Sequence, residues 1–426
     1  MLDTKFIIEN TEWVKQCAKK RNISADVDGV CTHYQELKKL QQSIEQKQAK
    51  SNQIAKDIAK ADPKDKPDMA KQGKQLKLDI AQEKELAESA RKLLNEALLT
   101  IPNLLPDDTP EGLTDDENIV IKSHLEPTRF DFSPKDHLEL GESLDIIDFE
   151  GGAKVAGAKF YFLKNEGVLL ENALKSLAIS VAMKKGYTPI KTPDVSKNEI
   201  LLGAGYNPRG NESNTYCIEG HNLSLIATAE IAIAGLHSNE IIPEEKLPIK
   251  YVADSHCFRT EAGGGGKESK GLYRVHQFSK IELFQFTKPE NGDEYLDELL
   301  NIEEEIYQLL ELPYQVVRIC AGDLGAPAYK KYDIEAWMPG KGENGQYGEI
   351  TSASDCTDFQ ARRLNTRYKD KSTGKNQWVH TLNGTAVALS RTPIAILENF
   401  QQKDGSVLIP KALQPYMGMD RIIPKK

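Results

Sequence analysis

Apolar residues in the first hundred positions recur three or four apart. Leu37, Leu40, Ile44, Ile54 and Ile58 follow this spacing, with Lys47 and Ser51 interrupting the seam, and it resumes at Leu76, Ile80, Ala87, Ala90, Leu94, Ala97 and Ile101. Between the two runs, Asp62-Pro63-Lys64-Asp65-Lys66-Pro67 has the chemistry of a turn. The pattern predicts two helices of about 30 residues, folded back on each other as an antiparallel coiled coil roughly 45 Å long. Residues 101–112 carry Pro102, Pro106, Pro110, two aspartates and a glycine, which end the second helix and form a hinge. The expected division is an N-terminal helical domain over 1–103, with its arm at about 30–100, a linker over 104–117 and a body over 118–426.

The body alternates between patterns. It predicts a helix near 134–144, a β-rich patch around 158–163 and a helix over 166–185, then a turn into a proline-bearing strand over 186–195. Proline cannot donate to a ladder, so that strand belongs at an edge or an interface. No βαβ rhythm follows, which points to an α+β fold with an antiparallel sheet flanked by helices. Residues 258–286 read as a strand ending in Arg259-Thr260-Glu261, a loop with four glycines, and a long returning strand from about Arg274. Alternation puts Arg274, His276, Phe278, Lys280, Glu282, Phe284 and Phe286 on one side. Cations, an aromatic ring and a carboxylate make a poor core and a good binding surface. Phe278 and Glu282 would stand roughly 13 Å apart, the span from a nucleotide base to an amino acid joined to its α-phosphate. Taken singly, Phe278 reads more readily as a core aromatic; sharing a face with Arg274 and Glu282 weighs against that.

Composition narrows the class. The 426 residues are 28% charged and 39% apolar, as in soluble globular proteins. No apolar run reaches membrane-span length, and the N-terminus lacks the basic and apolar regions of a signal peptide, so the expected location is the cytoplasm, without a membrane partner. Cys17, Cys31, Cys217, Cys257, Cys320 and Cys356 form no CxxC pair, so reduced thiols are expected rather than disulfides or a zinc site. The total charge of −9 hides an asymmetry. From Lys38 to Lys92, thirteen lysines and one arginine face nine acids, a net +5, leaving −14 on the remainder. Such an arm reads either as a dimerisation or spacer coil with solvated lysines, or as a rod gripping the phosphates of a polyanion. Gly263-Gly264-Gly265-Gly266-Lys267 is followed by Glu268 and fits neither a Walker loop nor GxGxxG, so any use of ATP requires another architecture.

Three blocks carry a family resemblance. Residues 258–286 resemble the second signature of class II aminoacyl-tRNA synthetases, and 186–195 the first, with Pro193 as its marker. Leu382-Asn383-Gly384-Thr385-Ala386-Val387-Ala388-Leu389-Ser390-Arg391-Thr392-Pro393 resembles the third, with Arg391 as its arginine. Together with Thr228-Ala229-Glu230, Glu349-Ile350-Thr351-Ser352, Cys356-Thr357-Asp358-Phe359-Gln360-Ala361-Arg362-Arg363 and the helical arm, nearly the whole chain is similar to the bacterial-type seryl-tRNA synthetase family. The resemblance implies a homodimer joined through the Pro193 region. It also implies a ligase that forms seryl-adenylate from L-serine and ATP with Mg²⁺, then charges tRNA(Ser), and tRNA(Sec) where the host has one. Arg259 and Arg391 would be catalytic, holding the α- and γ-phosphates. Phe278 would stack on adenine, with Thr260, Glu261, Arg274, Val275, Ile350 and Thr351 around the ATP, and Glu349 and Ser352 holding the metal. Thr228, Ala229, Glu230, Arg259, Glu282, Asn383 and Thr385 would surround serine. The glycine-rich loop becomes a lid or a tRNA-contacting turn.

Two departures from the family stand out: Thr385-Ala386 replaces a serine-glycine pair, and Ser390 replaces a glycine before the arginine. A glycine there would serve a positive φ or close packing. Two other readings are a synthetase-like RNA-binding protein without catalysis and a relative that aminoacylates a carrier protein. The intact Arg259, Glu282, Glu349 and Arg391 weigh against the first, and the basic rod against the second.

Overall fold

The computed structural model describes residues 1–206, 214–261 and 271–425, and its contacts separate into two compact units, Met1–Leu104 and Leu105–Lys426. The expected glycine-rich lid lies outside the described residues. In the first unit, two short helices precede α1 (Val27–Ile58) and α2 (Lys66–Thr100), which at 1.5 Å per residue are each about 50 Å long. The Asp26 carboxylate caps α1 by accepting from the Gly29 amide at 2.9 Å, and the Asp26 amide donates to Thr100 Oγ1 at 2.8 Å, tying the helix ends together. Leu37, Ile54, Ile80, Ala87, Ala90 and Leu94 are buried along the seam. The interruptions have partners: Lys47 Nζ and Ser43 Oγ both donate to Glu83 Oε1 at 2.9 Å, and Ser51 is small enough to be buried. Every other lysine from Lys38 to Lys92 is exposed.

The second unit is built on an eight-stranded sheet. Its strands in chain order are β1 (Ile119–His124), β2 (Thr188–Lys191), β3 (Ile249–Phe258), β4 (Gln277–Thr287), β5 (Tyr314–Arg318), β6 (Lys330–Met338), β7 (Gln346–Asp355) and β8 (His380–Ala388). They lie in the order β1-β5-β6-β7-β8-β4-β3-β2. All neighbours are antiparallel except β2 and β3, and the proline-bearing β2 sits at an edge, as the missing donor requires. Five helices matter for the site: α3 (Glu166–Lys184), α4 (Asn198–Ala204), α5 (Ala229–Leu236), α6 (Gly292–Leu309) and α7 (Phe359–Leu364). The predicted helix at 134–144 is found over His137–Ser143, and the β-rich patch contracts to the two-residue strand Phe162–Leu163.

The strand β4 divides two cores. Ile281 and Leu283 pack with Leu174 and Leu177 of α3 and with Leu299 and Ile302 of α6, while Phe284 and Phe286 pack with Leu201 of α4, Ile231 and Ile233 of α5 and Leu364 of α7. This corrects the expected face in two places. The strand starts at Gln277, because Gly271 at φ +61° opens a tight turn that buries Leu272. Phe284 and Phe286 are fully buried, because the apolar helix α5 covers that end of the sheet. The polar face is therefore shorter, running from Phe278 through Lys280 to Glu282. Among the described residues no helix is long and apolar enough to cross a membrane.

Leu299 is fully buried against the underside of the sheet. Leu299→Ala should lower stability by about 2–5 kcal/mol, read as a lower urea midpoint with an unchanged slope.

Candidate active site

A hollow opens over β4, β7 and β8, lined by Arg259, Glu261, Arg274, Val275, Phe278 and Lys280 together with residues 349–352, Thr385, Ser390 and Arg391. Register explains the convergence. Phe278 stands opposite Cys257, one residue before the end of β3, so Arg259 emerges beside it, with its guanidinium carbon 5.2 Å from the Phe278 ring centroid. Glu282 faces Thr385 across the β4–β8 ladder, and a bulge between Thr385 and Val387 bends β8 just where the hollow begins. Thus Arg259, Phe278, Glu282, Glu349 and Arg391, distant in sequence, meet on one surface.

The arginines are fixed at both ends. Arg259 Nε donates to the Ala227 carbonyl at 3.4 Å. Arg391 Nε donates to the Tyr273 carbonyl at 3.2 Å, its Nη1 reaches both the carbonyl and the carboxylate of Glu349 at 3.0 Å, and it lies over the Tyr273 ring at 4.6 Å. Arg274 pairs with Glu261 at 2.8 Å. Glu261 itself adopts φ +49°, its amide bonded to Asn214 Oδ1 at 2.6 Å, and the same oxygen accepts from the Thr260 hydroxyl at 3.3 Å. Val275 and Ile350 form the buried apolar wall.

The carboxylates differ in character. Glu349 is surrounded by protein yet opens on the hollow, with 42% of its side chain accessible. Burial would push its pKa up, but Arg391, Lys331 and Arg259 hold it down to about 2. It is thus a permanent anion. Its second oxygen and the neighbouring Ser352 are hard donors suited to Mg²⁺, which would complete its shell with water and phosphate oxygens. Burial pushes Glu282 up to about 7 despite its ion pair with Lys280, with Glu230 adding to the rise. Lys280 also donates to Thr385 Oγ1 at 3.4 Å.

Glu230 is deeper. Thr228 caps α5 by accepting from the Glu230 amide at 3.3 Å, which turns the carboxylate inward beside Ala229. Its Oε2 accepts from the Tyr206 hydroxyl at 2.9 Å, and its Oε1 from Gln360 Nε2 at 2.6 Å and Asn383 Nδ2 at 3.2 Å. Burial raises its pKa, partly offset by Tyr206 and Gln360. Glu230 is therefore held by protein donors, whereas Glu282 is buried just beneath the hollow, paired with Lys280 and opposite Thr385, both of which line it. Sequence reasoning gave no role to Lys280, Tyr273, Tyr206 or Gln360. Lys280 was signalled by its place in the β4 alternation and Gln360 by its position in the 356–363 block. Tyr206 and Tyr273 carried no such mark. Ser390 takes φ −99°, ψ −40°, so nothing in its backbone requires glycine.

Comparison with known proteins agrees with this geometry. Residues 215–400 match the family model described as tRNA synthetase class II core domain (G, H, P, S and T), and residues 1–105 match the seryl-tRNA synthetase N-terminal domain. The chain is 53% identical to the serine–tRNA ligase of Treponema denticola, over 99% of its own length and 100% of the relative's. It is 49% identical to that of Rubrobacter xylanophilus, over the full length of both. The structure of seryl-tRNA synthetase from Pyrococcus horikoshii complexed with ATP superposes with a TM-score of 0.92 at 38% identity, covering 100% of each chain. With both family models and full-length relatives in agreement, the chain belongs to the seryl-tRNA synthetase family.

Proposed function

We propose that the protein is a serine–tRNA ligase, activating L-serine with ATP as seryl-adenylate and transferring serine to tRNA(Ser). The observation that carries this is geometric: Phe278 and the Lys280–Glu282 pair follow one another along a single strip of β4, with Arg259 over the Phe278 ring and Arg391 held by Glu349 beside it. The chain order, the whole-length relatives and the ATP complex of the Pyrococcus protein support it. Attack of the serine carboxylate on the α-phosphate gathers negative charge on oxygen, so the reaction needs fixed cations more than a base. Arg259 and Arg391 meet that need with planar forks that do not lose their charge. In this reading Phe278 stacks on adenine, with Arg259 at the α-phosphate and Arg391 at the γ-phosphate. Glu349 and Ser352 would hold Mg²⁺, which neutralises phosphate charge when bound.

At the other end of the strip, Glu282 receives the serine ammonium and Thr385, Asn383 and Thr228 surround the substrate. Glu230 acts mainly by orienting Asn383, to which it is bonded. A pocket whose buried groups must hydrogen-bond a hydroxyl rejects alanine strongly, because its partners would be left unsatisfied.

The helical domain over 1–103 is proposed to grip the tRNA backbone through its exposed lysines, including tRNA(Sec) where one exists, with 104–117 linking it to the catalytic body. The active form is proposed to be a homodimer through the Pro193 region. Supporting this, Pro193 is exposed next to Asp194, which meets His256 at 3.0 Å. His256 borders a groove whose other residues include the exposed Val155, Phe162 and Val168. A ligase dependent on ATP and tRNA is proposed to work in the cytoplasm.

Serine-dependent exchange of labelled pyrophosphate into ATP is the direct test; exchange is expected with serine, and better exchange with threonine or alanine would contradict the assignment. Removing residues 35–95 should spare that exchange and abolish tRNA charging, and retention of both would make the arm a spacer. Because Glu282 has its midpoint at about 7, a protonated carboxyl below that pH cannot balance the ammonium. Serine KM should therefore rise as pH falls through this midpoint, by up to about tenfold per unit. Glu282→Gln should flatten that profile and weaken serine binding by roughly 2–5 kcal/mol.

A further inference from the structure

The strands β7 and β8 are paired over only three residues, Ala353 to Gly384, Ser354 to Asn383 and Asp355 to Leu382. Beyond Ala353 and Gly384 they diverge, and the hollow lies between them, with Thr351 and Ser352 on one arm of the fork and Thr385 on the other. At the base of this fork sits a side chain from the opposite layer. Glu303, on α6 beneath the sheet, has no accessible surface, and its Oε2 accepts from Thr351 Oγ1 at 2.7 Å. Its Oε1 stands 2.7 Å from the point where Gly384 would carry a Cβ. Gly384 is thus the residue that leaves room for Glu303, and one carboxyl touches both arms where they part.

We propose that Glu303 is a positioning residue for the ligase reaction, a wedge driven from α6 that sets the separation between the strand holding ATP and the strand holding serine. This rests on the assignment of residues 349–352 to ATP and Thr385 to serine. The wedge touches neither substrate, so it acts through Thr351 and Gly384. A displacement of about 1 Å at such a support is enough to cost roughly 100-fold in rate, because in-line attack depends on alignment.

Its surroundings favour the neutral acid. Asp333 from β6 and Glu282 from β4 oppose its ionisation, and the charge of Lys280 favours it. The phenols Tyr187 and Tyr307 also interact with it electrostatically and stay protonated themselves. Burial is the largest influence and raises its pKa well above the ordinary carboxylate value, while the Thr351 hydrogen bond lowers it less. Its Oε1 has no hydrogen-bond partner among the described residues, which a neutral carboxyl tolerates far better than an anion. A group protonated when folded and ionised when unfolded makes stability fall as pH rises above the ordinary carboxylate range.

The test compares Glu303→Gln, Glu303→Ala and Thr351→Val in serine-dependent pyrophosphate exchange, with ATP and serine varied separately. Glu303→Gln keeps shape and hydrogen bonding and should stay within about threefold of the unmodified protein. Glu303→Ala and Thr351→Val should lose roughly 10- to 100-fold in kcat/KM for both substrates. If Glu303→Ala does not fold, Thr351→Val carries the comparison. The Tm of Glu303→Gln relative to the unmodified protein should become more favourable from pH 5 to pH 8. An unimpaired Glu303→Ala or Thr351→Val, a Glu303→Gln as damaged as Glu303→Ala, or a Tm difference that moves the other way would each overturn the wedge. An unmodified protein that lacks serine-dependent exchange would instead overturn the functional reading on which the wedge rests.

Discussion

Charged groups on the face of a sheet whose reverse is a dry core are the constraint from which this catalytic body is built. An unpaired buried ion costs several kcal/mol, which favours matching charges in the hollow with an opposite charge or with hydrogen-bond partners. The structure meets that demand locally: Arg391 with Glu349, Arg274 with Glu261, Lys280 with Glu282, and Glu230 within its three donors. Matching also immobilises the groups before substrate arrives. That fixed field suits a reaction whose difficulty is charge accumulating on phosphate oxygens.

The sheet supplies the geometry. β4 is flanked by β3 and β8, so its polar residues receive Arg259 from one neighbour and Thr385 from the other. Where α5 covers the same face, its side chains become core, and this boundary between site and core is set by a short apolar helix rather than by β4 itself. A second bulge, at Ile350 of β7 opposite Ile334 and Glu335 of β6, re-aims the stretch of β7 that carries Glu349. The two bulges and the short β7–β8 ladder open a cavity in what would otherwise be a continuous surface.

Much of this was legible in the sequence, for identifiable reasons. The arm could be read because a 3-4 apolar spacing survives over more than sixty residues, and a proline edge strand because proline lacks a donor. The Phe278, Lys280, Glu282 alternation was readable because strand geometry is local. Its limits were not. Nothing in Phe284 or Phe286 reveals that the helix starting at Ala229 covers them, and the turn that delays the strand to Gln277 depends on Gly271 and on burying Leu272. Tyr206 and Glu303 act through contacts across the fold, where spacing carries no information. At Ser390 the backbone is right-handed, so a positive φ is not what a glycine there would serve.

The central claim is that one polar strip binds adenine at Phe278 and the amino acid at Glu282. The most direct measurement is a crystal structure with a non-hydrolysable seryl-adenylate analogue. The account predicts adenine against the Phe278 ring, the phosphate surrogate at Arg259 and the ammonium on Glu282. An analogue bound in the reverse direction, or outside the hollow between β4 and β7, would contradict it.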